Sequence, residues 1–132
     1  MKLGFVGTGN ISSDVITAIC KSKIPFKKIT ISPRNKNKSK SLKKKFKSKI
    51  VIAKNNQEVI NNSDWVFLGL LPEIGLKILP NLKFKSNHTI ISFMSTINYE
   101  KLKQITNKKA ILVRAIPMPP ISLGKGPVAF YP

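Results

Sequence analysis

Gly7 and Gly9 stand one residue apart, between the short apolar stretch Lys2 to Val6 and a segment with helical periodicity. Two glycines so placed bring a backbone close to an anion. The first lets a strand turn tightly, and the second removes the side chain that would keep phosphate oxygens away. The free N–H groups and positive dipole end of the following helix then face the charge. Gly7, Thr8, Gly9, Asn10, Ile11 and Ser12 are therefore the candidate cradle for a dinucleotide pyrophosphate. The third glycine of a Gly-x-Gly-x-x-Gly pattern is replaced by Ser12, a small residue where the helix must pack closely. An ordinary strand–helix turn would carry the same glycines. Their position after the first strand and before an amphipathic helix favours the binding turn.

The next candidate stretch follows a second β-branched run, Lys28 to Ser32. A site for NAD places an acidic residue here to bind the ribose 2′-hydroxyl. This chain has Ser32-Pro33-Arg34-Asn35 with Lys36 behind it, and no acid. A hydroxyl on Ser32 and a guanidinium on Arg34 suit a 2′-phosphate, so NADP(H) is expected ahead of NAD(H). Arg34 as one more solvated cation is the plainer alternative. The nicotinamide end should lie against Gly69-Leu70-Leu71-Pro72, whose side chains are inert, and near Ser95, which has a hydroxyl to offer. No catalytic residue is evident. His88, the sole histidine, precedes a strand at the wrong end for this site and reads as a surface turn residue. Cys20 falls on the first helix and reads as core. The five acids, Asp14, Glu58, Asp64, Glu73 and Glu100, suggest no metal-binding set.

These loops need a scaffold. Ile11, Val15, Ala18 and Ile19 recur at helical spacing, which predicts a helix from about Ser12 to Lys21. Strand, helix and strand within the first thirty or so residues make a βαβ unit. Asn35 to Lys49 carries eight lysines, with Leu42 and Phe46 four apart, and reads as a solvated helix with one narrow apolar edge. Ile50 to Ala53 is a third strand, followed by a short helix within Asn55 to Ile60. Trp65-Val66-Phe67-Leu68 is an unbroken apolar run, as expected of a central parallel strand covered on both faces. A helix over Glu73 to Leu79 stopped by Pro80, a strand over Thr89 to Phe93, a helix capped by Asn98 and a strand over Ala110 to Val113 complete the alternation. Val128 to Tyr131 is a candidate further strand after a Pro- and Gly-rich stretch. The expected fold is a Rossmann-type, doubly wound, mostly parallel α/β sheet of six or more strands with helices on both faces.

At 132 residues the chain reads as one domain, long enough to bury a core. Its net charge is +19, and all its basic residues except Arg34 and Arg114 are lysine. Recognition of nucleic acid favours arginine forks, so the lysine excess reads as compositional bias spread over the surface. A nucleic-acid or membrane-surface role and an acidic partner are the alternatives. Such a field attracts an anionic cofactor in any case. One cysteine excludes an internal disulfide and fits a cytoplasmic setting. The most apolar stretch, Trp65 to Leu82, is broken by Pro72, Glu73 and Lys77, so neither a membrane span nor a membrane partner is expected.

Several segments together resemble the pyrroline-5-carboxylate reductase family. Gly4-Phe5-Val6-Gly7-Thr8-Gly9-Asn10-Ile11 is similar to that family's opening Gly-Phe-Ile-Gly-x-Gly-Asn-Met. Ser63-Asp64-Trp65-Val66-Phe67-Leu68 resembles its fourth strand, and Val113-Arg114-Ala115-Ile116-Pro117 its Val-Arg-Ala-Met-Pro. Gly124-Lys125-Gly126 followed by Val128-Ala129 is similar to the end of its nucleotide-binding domain. The resemblance implies a Rossmann domain that binds NADPH (or NADH) and reduces a cyclic imine to proline. It departs at Leu71-Pro72, where the family has Lys-Pro. It departs also at Met94-Ser95-Thr96, where the family has an Ala-Ala-Gly type loop, and at Met118-Pro119-Pro120, where it has Asn-Thr-Pro. The family continues with a helical C-terminal domain that makes the dimer and completes the imine site. Residues 1–132 are expected to be the nucleotide-binding domain alone, with a homodimer expected only where that second domain is present. The implied activity is NADP-dependent reduction of a small-molecule imine, of the kind used in proline biosynthesis. The alternative is a nucleotide-binding module without turnover of its own.

Overall fold

The computed structural model describes residues 1–117 and 128–131. The expectations placed on Met118-Pro119-Pro120 and on Gly124-Lys125-Gly126 lie outside the described residues. The chain runs β1 (Lys2–Val6), α1 (Asn10–Lys21), β2 (Lys28–Ile31), α2 (Lys36–Phe46), β3 (Ile50–Ile52) and α3 (Asn56–Asn61). It continues through β4 (Trp65–Leu68), α4 (Pro72–Ile78), β5 (Thr89–Ser92), α5 (Tyr99–Ile105), β6 (Ile111–Pro117) and β7 (Val128–Tyr131). The strands form one seven-stranded sheet of order β3-β2-β1-β4-β5-β6-β7. The first six are parallel, and β7 lies antiparallel on β6 at the edge. This is the doubly wound Rossmann-like fold expected. The winding direction reverses between β1 and β4, so the loops leaving those two strands flank the switch point, where such folds bind ligands.

Side chains alternate across the sheet, as strand geometry requires. Val6, Val66, Leu68, Ile90 and Leu112 point to one core, closed by Val59 and Ile60 of α3 and by Leu102 and Ile105 of α5. Leu3, Phe5, Ile29, Ile31, Ile50 and Phe67 point to the other, closed by Ile16 and Cys20 of α1 and by Leu42 of α2. Phe5 and Phe67 stack across neighbouring strands with ring centroids 4.4 Å apart. The lysine-rich α2 is held by the narrow edge its sequence suggested: Ser39 and Leu42 are buried, and Phe46 packs against the core.

Three expectations need correction. β6 extends to Pro117 because β7 pairs with its second half, from Arg114 opposite Tyr131 to Pro117 opposite Val128. The apolar run of β4 is covered on one face only at its start. Trp65 is 40% exposed on the side where α1 gives out. There Val15, Ala18 and Ile19 of α1 and Phe67, Ile91, Phe93 and Val113 of the sheet line an apolar groove of about 570 Å³. His88 sits in the turn before β5, as expected, but it is buried, with 2% exposure. Its Nδ1 accepts the Lys85 N–H at 2.9 Å, and its ring meets Phe84 edge-on. A turn that folds back on its own backbone donor takes the imidazole inside, which polarity alone did not reveal.

Burial pushes the His88 imidazole below its ordinary value of 6.5, against the opposing pull of the Ser63 and Ile60 backbone. The folded state therefore binds this proton less readily than the unfolded chain. Stability from this group is complete above about 6.5 and is lost as the pH falls below it. A thermal-melt series across that window should show Tm falling towards acid, and His88→Gln should flatten that part of the slope.

Candidate functional site

The β1–α1 turn is built by a conflict of space. Gly7 has φ +94°, and a Cβ there would stand 2.4 Å from the Gly69 carbonyl oxygen. Glycine is required at that position by both conformation and contact. Gly69 in turn receives Ser12: a Cβ on Gly69 would meet Ser12 Oγ at 1.9 Å. The β4 exit is thus packed onto the glycine turn, and the Gly69 N–H donates to the Val6 carbonyl at 2.9 Å. Gly9 differs. Its φ of −69° and ψ of −171° suit any residue, and a Cβ there would meet nothing within 4 Å among the described residues. The space over Gly9 is open.

That space is a cavity of about 570 Å³ lined by Gly7, Thr8, Gly9, Ser32, Arg34 and Asn35, and further by Lys36, Asn37, Asn56, Gly69, Leu70, Leu71 and Ile74. A second hollow of about 370 Å³ shares Gly9, Gly69, Leu70 and Leu71 with it and adds Asn10, Ile11 and Phe93. The helix α1 opens on the first cavity. Gly9, its N-cap, supplies no side-chain hydrogen bond, whereas Asn35, Asn55 and Asn98 cap α2, α3 and α5 with theirs. The Thr8 and Ser12 hydroxyls are buried without a partner among the described residues. Arg34 and Lys36 are exposed at the rim.

Ten of the twelve residues singled out for the cofactor gather at these hollows, and two do not. Gly7, Thr8, Gly9, Ser32, Arg34, Leu70 and Leu71 line the larger cavity, and Asn10 and Ile11 line the smaller. Ser12 lies just beneath, buried against Gly69. Pro72 and Ser95 line neither hollow. Pro72 starts α4, and Ser95 is exposed, its carbonyl taking a hydrogen bond from Arg114 at 2.6 Å. Asn56, Asn37 and Ile74 line the cavity and were not foreseen. Asn56 opens α3 directly after the loop leaving β3, and every such loop in a parallel sheet faces the same end. Cys20 is in the core, where burial pushes its thiol up despite the nearby Lys49. Among the described residues no group of His, Cys, Asp or Glu could hold a metal ion.

Residues 2–96 match the family described as "NADP oxidoreductase coenzyme F420-dependent". The chain belongs to that family. Among curated proteins it is similar to pyrroline-5-carboxylate reductase 3 of Danio rerio, 29% identical over 129 residues, covering 96% of this chain and 44% of that protein. Among solved structures it superposes on 1-pyrroline-5-carboxylate reductase of Streptococcus pyogenes with a TM-score of 0.84. The identity there is 24%, over 99% of this chain and 48% of the other. The pyrroline carboxylate reductase of Plasmodium falciparum, solved with NADP bound, gives 0.84 at 22% identity over 99% and 47%. The chain therefore aligns with the N-terminal nucleotide-binding region of this reductase family and spans less than half the length of these relatives.

The two glycines of the turn should part company under substitution. Gly7→Ala should cost about 3 kcal/mol in chemical denaturation, from a strained φ and a backbone clash. Gly9→Ala should cost less than about 1 kcal/mol, the difference between glycine and alanine at an N-cap.

Proposed function

We propose that the chain binds NADP(H) and acts as the nucleotide-binding part of an oxidoreductase that reduces a cyclic imine. The observation that carries this reading is the open space over Gly9. Among the described residues nothing requires glycine there, so the missing side chain is explained by a ligand that approaches the backbone. The free N–H groups of the first turn of α1 hold the pyrophosphate, and the Thr8 hydroxyl, buried and unpartnered among the described residues, lies beside them as a further donor. Arg34 and Ser32 hold the 2′-phosphate, with Lys36 adding charge. Asn56, which lines the same cavity, hydrogen-bonds the ribose in this reading. When bound, the dinucleotide supplies a hydride from C4 of its nicotinamide to the C=N carbon of the imine. The role of Ile11, Leu70, Leu71 and Phe93 is to bracket that ring with apolar surface and keep water from it. The family matched and the NADP-bound relative support the cofactor; the substrate rests on the resemblance to pyrroline-5-carboxylate reductases.

A second reading is a nucleotide-binding module that turns nothing over by itself. It is favoured by the smaller hollow, whose described lining has no ionisable side chain. Calorimetric titration with NADPH and NADH, followed by an imine-reduction assay, separates the two. NADPH should bind saturably and more tightly than NADH. Gly9→Ala should weaken both by about tenfold or more while the fold persists, since a Cβ occupies the pyrophosphate position. Arg34→Ala should cost NADPH about tenfold and leave NADH untouched. A wild-type chain that binds neither dinucleotide would end both readings, and binding without turnover would leave the module.

A further inference from the structure

Ser32 does more in this fold than stand near a phosphate. It is 1% exposed at the end of β2, and three elements meet on it. Its N–H donates to the Phe5 carbonyl of β1 at 3.1 Å. Its own carbonyl accepts the Ser39 hydroxyl of α2 at 2.8 Å. Its Oγ accepts the Gly7 N–H at 2.9 Å. Gly7 is the residue at φ +94°, and a glycine turn has the most backbone freedom to lose when a ligand orders it. The Gly7 amide is consequently not a donor for the pyrophosphate, as a cradle running through the whole turn would have it. It is a tether.

A hydroxyl has one proton and two lone pairs. With a lone pair committed to Gly7, the Ser32 proton is left for the cavity that Ser32 lines together with Arg34. We propose that Ser32 is a positioning residue that couples the two phosphate-binding ends of the site: it pins the Gly7 turn for the pyrophosphate and donates its proton to the 2′-phosphate. The inference rests on the dinucleotide reading above and deepens it. A phosphate that accepts the Ser32 proton polarises the hydroxyl and strengthens its hold on Gly7, since linked hydrogen bonds reinforce one another. The 2′-phosphate then tightens the grip on a pyrophosphate it does not touch. Without Ser32 the turn would have to be ordered at the moment of binding, a cost charged to every dinucleotide, with or without a 2′-phosphate.

That last consequence is the test. NADH has no 2′-phosphate, so a direct contact predicts no loss of NADH affinity on removing the hydroxyl. Coupling predicts a loss. Affinities for NADPH and NADH would be measured for the wild-type chain, Ser32→Ala, Ser32→Cys, Ser32→Thr and Arg34→Ala, together with hydrogen exchange of the Gly7 amide without ligand. Ser32→Ala and Ser32→Cys should weaken NADH about fivefold and NADPH by more, with faster Gly7 exchange. Ser32→Cys nearly keeps the volume of serine, which separates a lost hydroxyl from a lost fold. Ser32→Thr should recover NADH binding to within about twofold. Arg34→Ala should spare NADH. Unchanged NADH affinity in both Ser32→Ala and Ser32→Cys, or Gly7 exchange at the wild-type rate, overturns the coupling and leaves the rest of the site standing. A wild-type chain that binds neither dinucleotide removes the site itself, and the coupling with it.

Discussion

The molecule depends on one close approach, between the backbone leaving β1 and the backbone leaving β4. These neighbouring parallel strands end side by side, Val6 in register with Leu68. A parallel pair cannot turn directly into its neighbour, so each chain end must leave the sheet without colliding with the other. Gly7 turns away through a conformation other residues rarely adopt, and Gly69 gives up its side chain to Ser12 of the departing helix. Helix α1 is consequently seated with its N-terminus over the switch point. The cavity and its uncapped helix end follow from that seating. That hollow is the geometric remainder of making two strands part.

Charge is distributed on a different principle. With only five acids against 24 basic residues, the lysines cannot be neutralised by partners. Several instead tie the fold through backbone carbonyls. Lys43 reaches the Ile50 carbonyl at 2.7 Å and Lys49 reaches that of Cys20 at 3.2 Å. Lys28 and Lys103 do the same to Ser48 and Ala110. These contacts fasten helix ends to strand starts with the ammonium still partly in water, a use of lysine that needs no acid. Two of the acids have specific posts. Glu58 accepts the Lys54 N–H before α3, and Asp64 accepts the Lys2 N–H at the start of β1. The uncompensated remainder gives the molecule a positive field, which draws an anionic ligand towards it without selecting among anions.

Periodicity made most of the scaffold legible. Short apolar and β-branched runs marked the strands, Ile11, Val15, Ala18 and Ile19 marked α1, and Leu42 with Phe46 marked the thin edge that holds α2. What stayed hidden was set by neighbours distant in sequence. The full length of β6 depends on β7, and the open side of Trp65 depends on where α1 stops. His88 is buried against the backbone of Ile60 and Ser63, more than twenty residues earlier, in a turn whose composition reads as surface. At the site, the residues flanking the glycines could be named from spacing. Asn56 could not, because the loop after β3 carries no motif and joins the cavity only through sheet order. Ser32 could be named from the sequence as a candidate for a phosphate but not as the partner of Gly7, since a hydroxyl's acceptor role is invisible until the backbone facing it is known.

The two ends of the cavity are built from different materials. Around Gly9, Ser32 and Arg34 the lining is backbone N–H, hydroxyl and cation, the groups that fix an anion at a defined place. Around Ile11, which is 44% exposed, and Leu71, which is 62% exposed, it is aliphatic. Aliphatic walls exclude water but supply little direction. Under the dinucleotide reading, the orientation of the reacting ring is therefore inherited from the phosphates, through the rigidity of the turn that holds them. That makes the stiffness of Gly7 a functional quantity as well as a structural one. A few tenths of an ångström of play at the pyrophosphate is carried along the dinucleotide to its far end, where none of the described lining residues has a side chain of comparable strength to correct it.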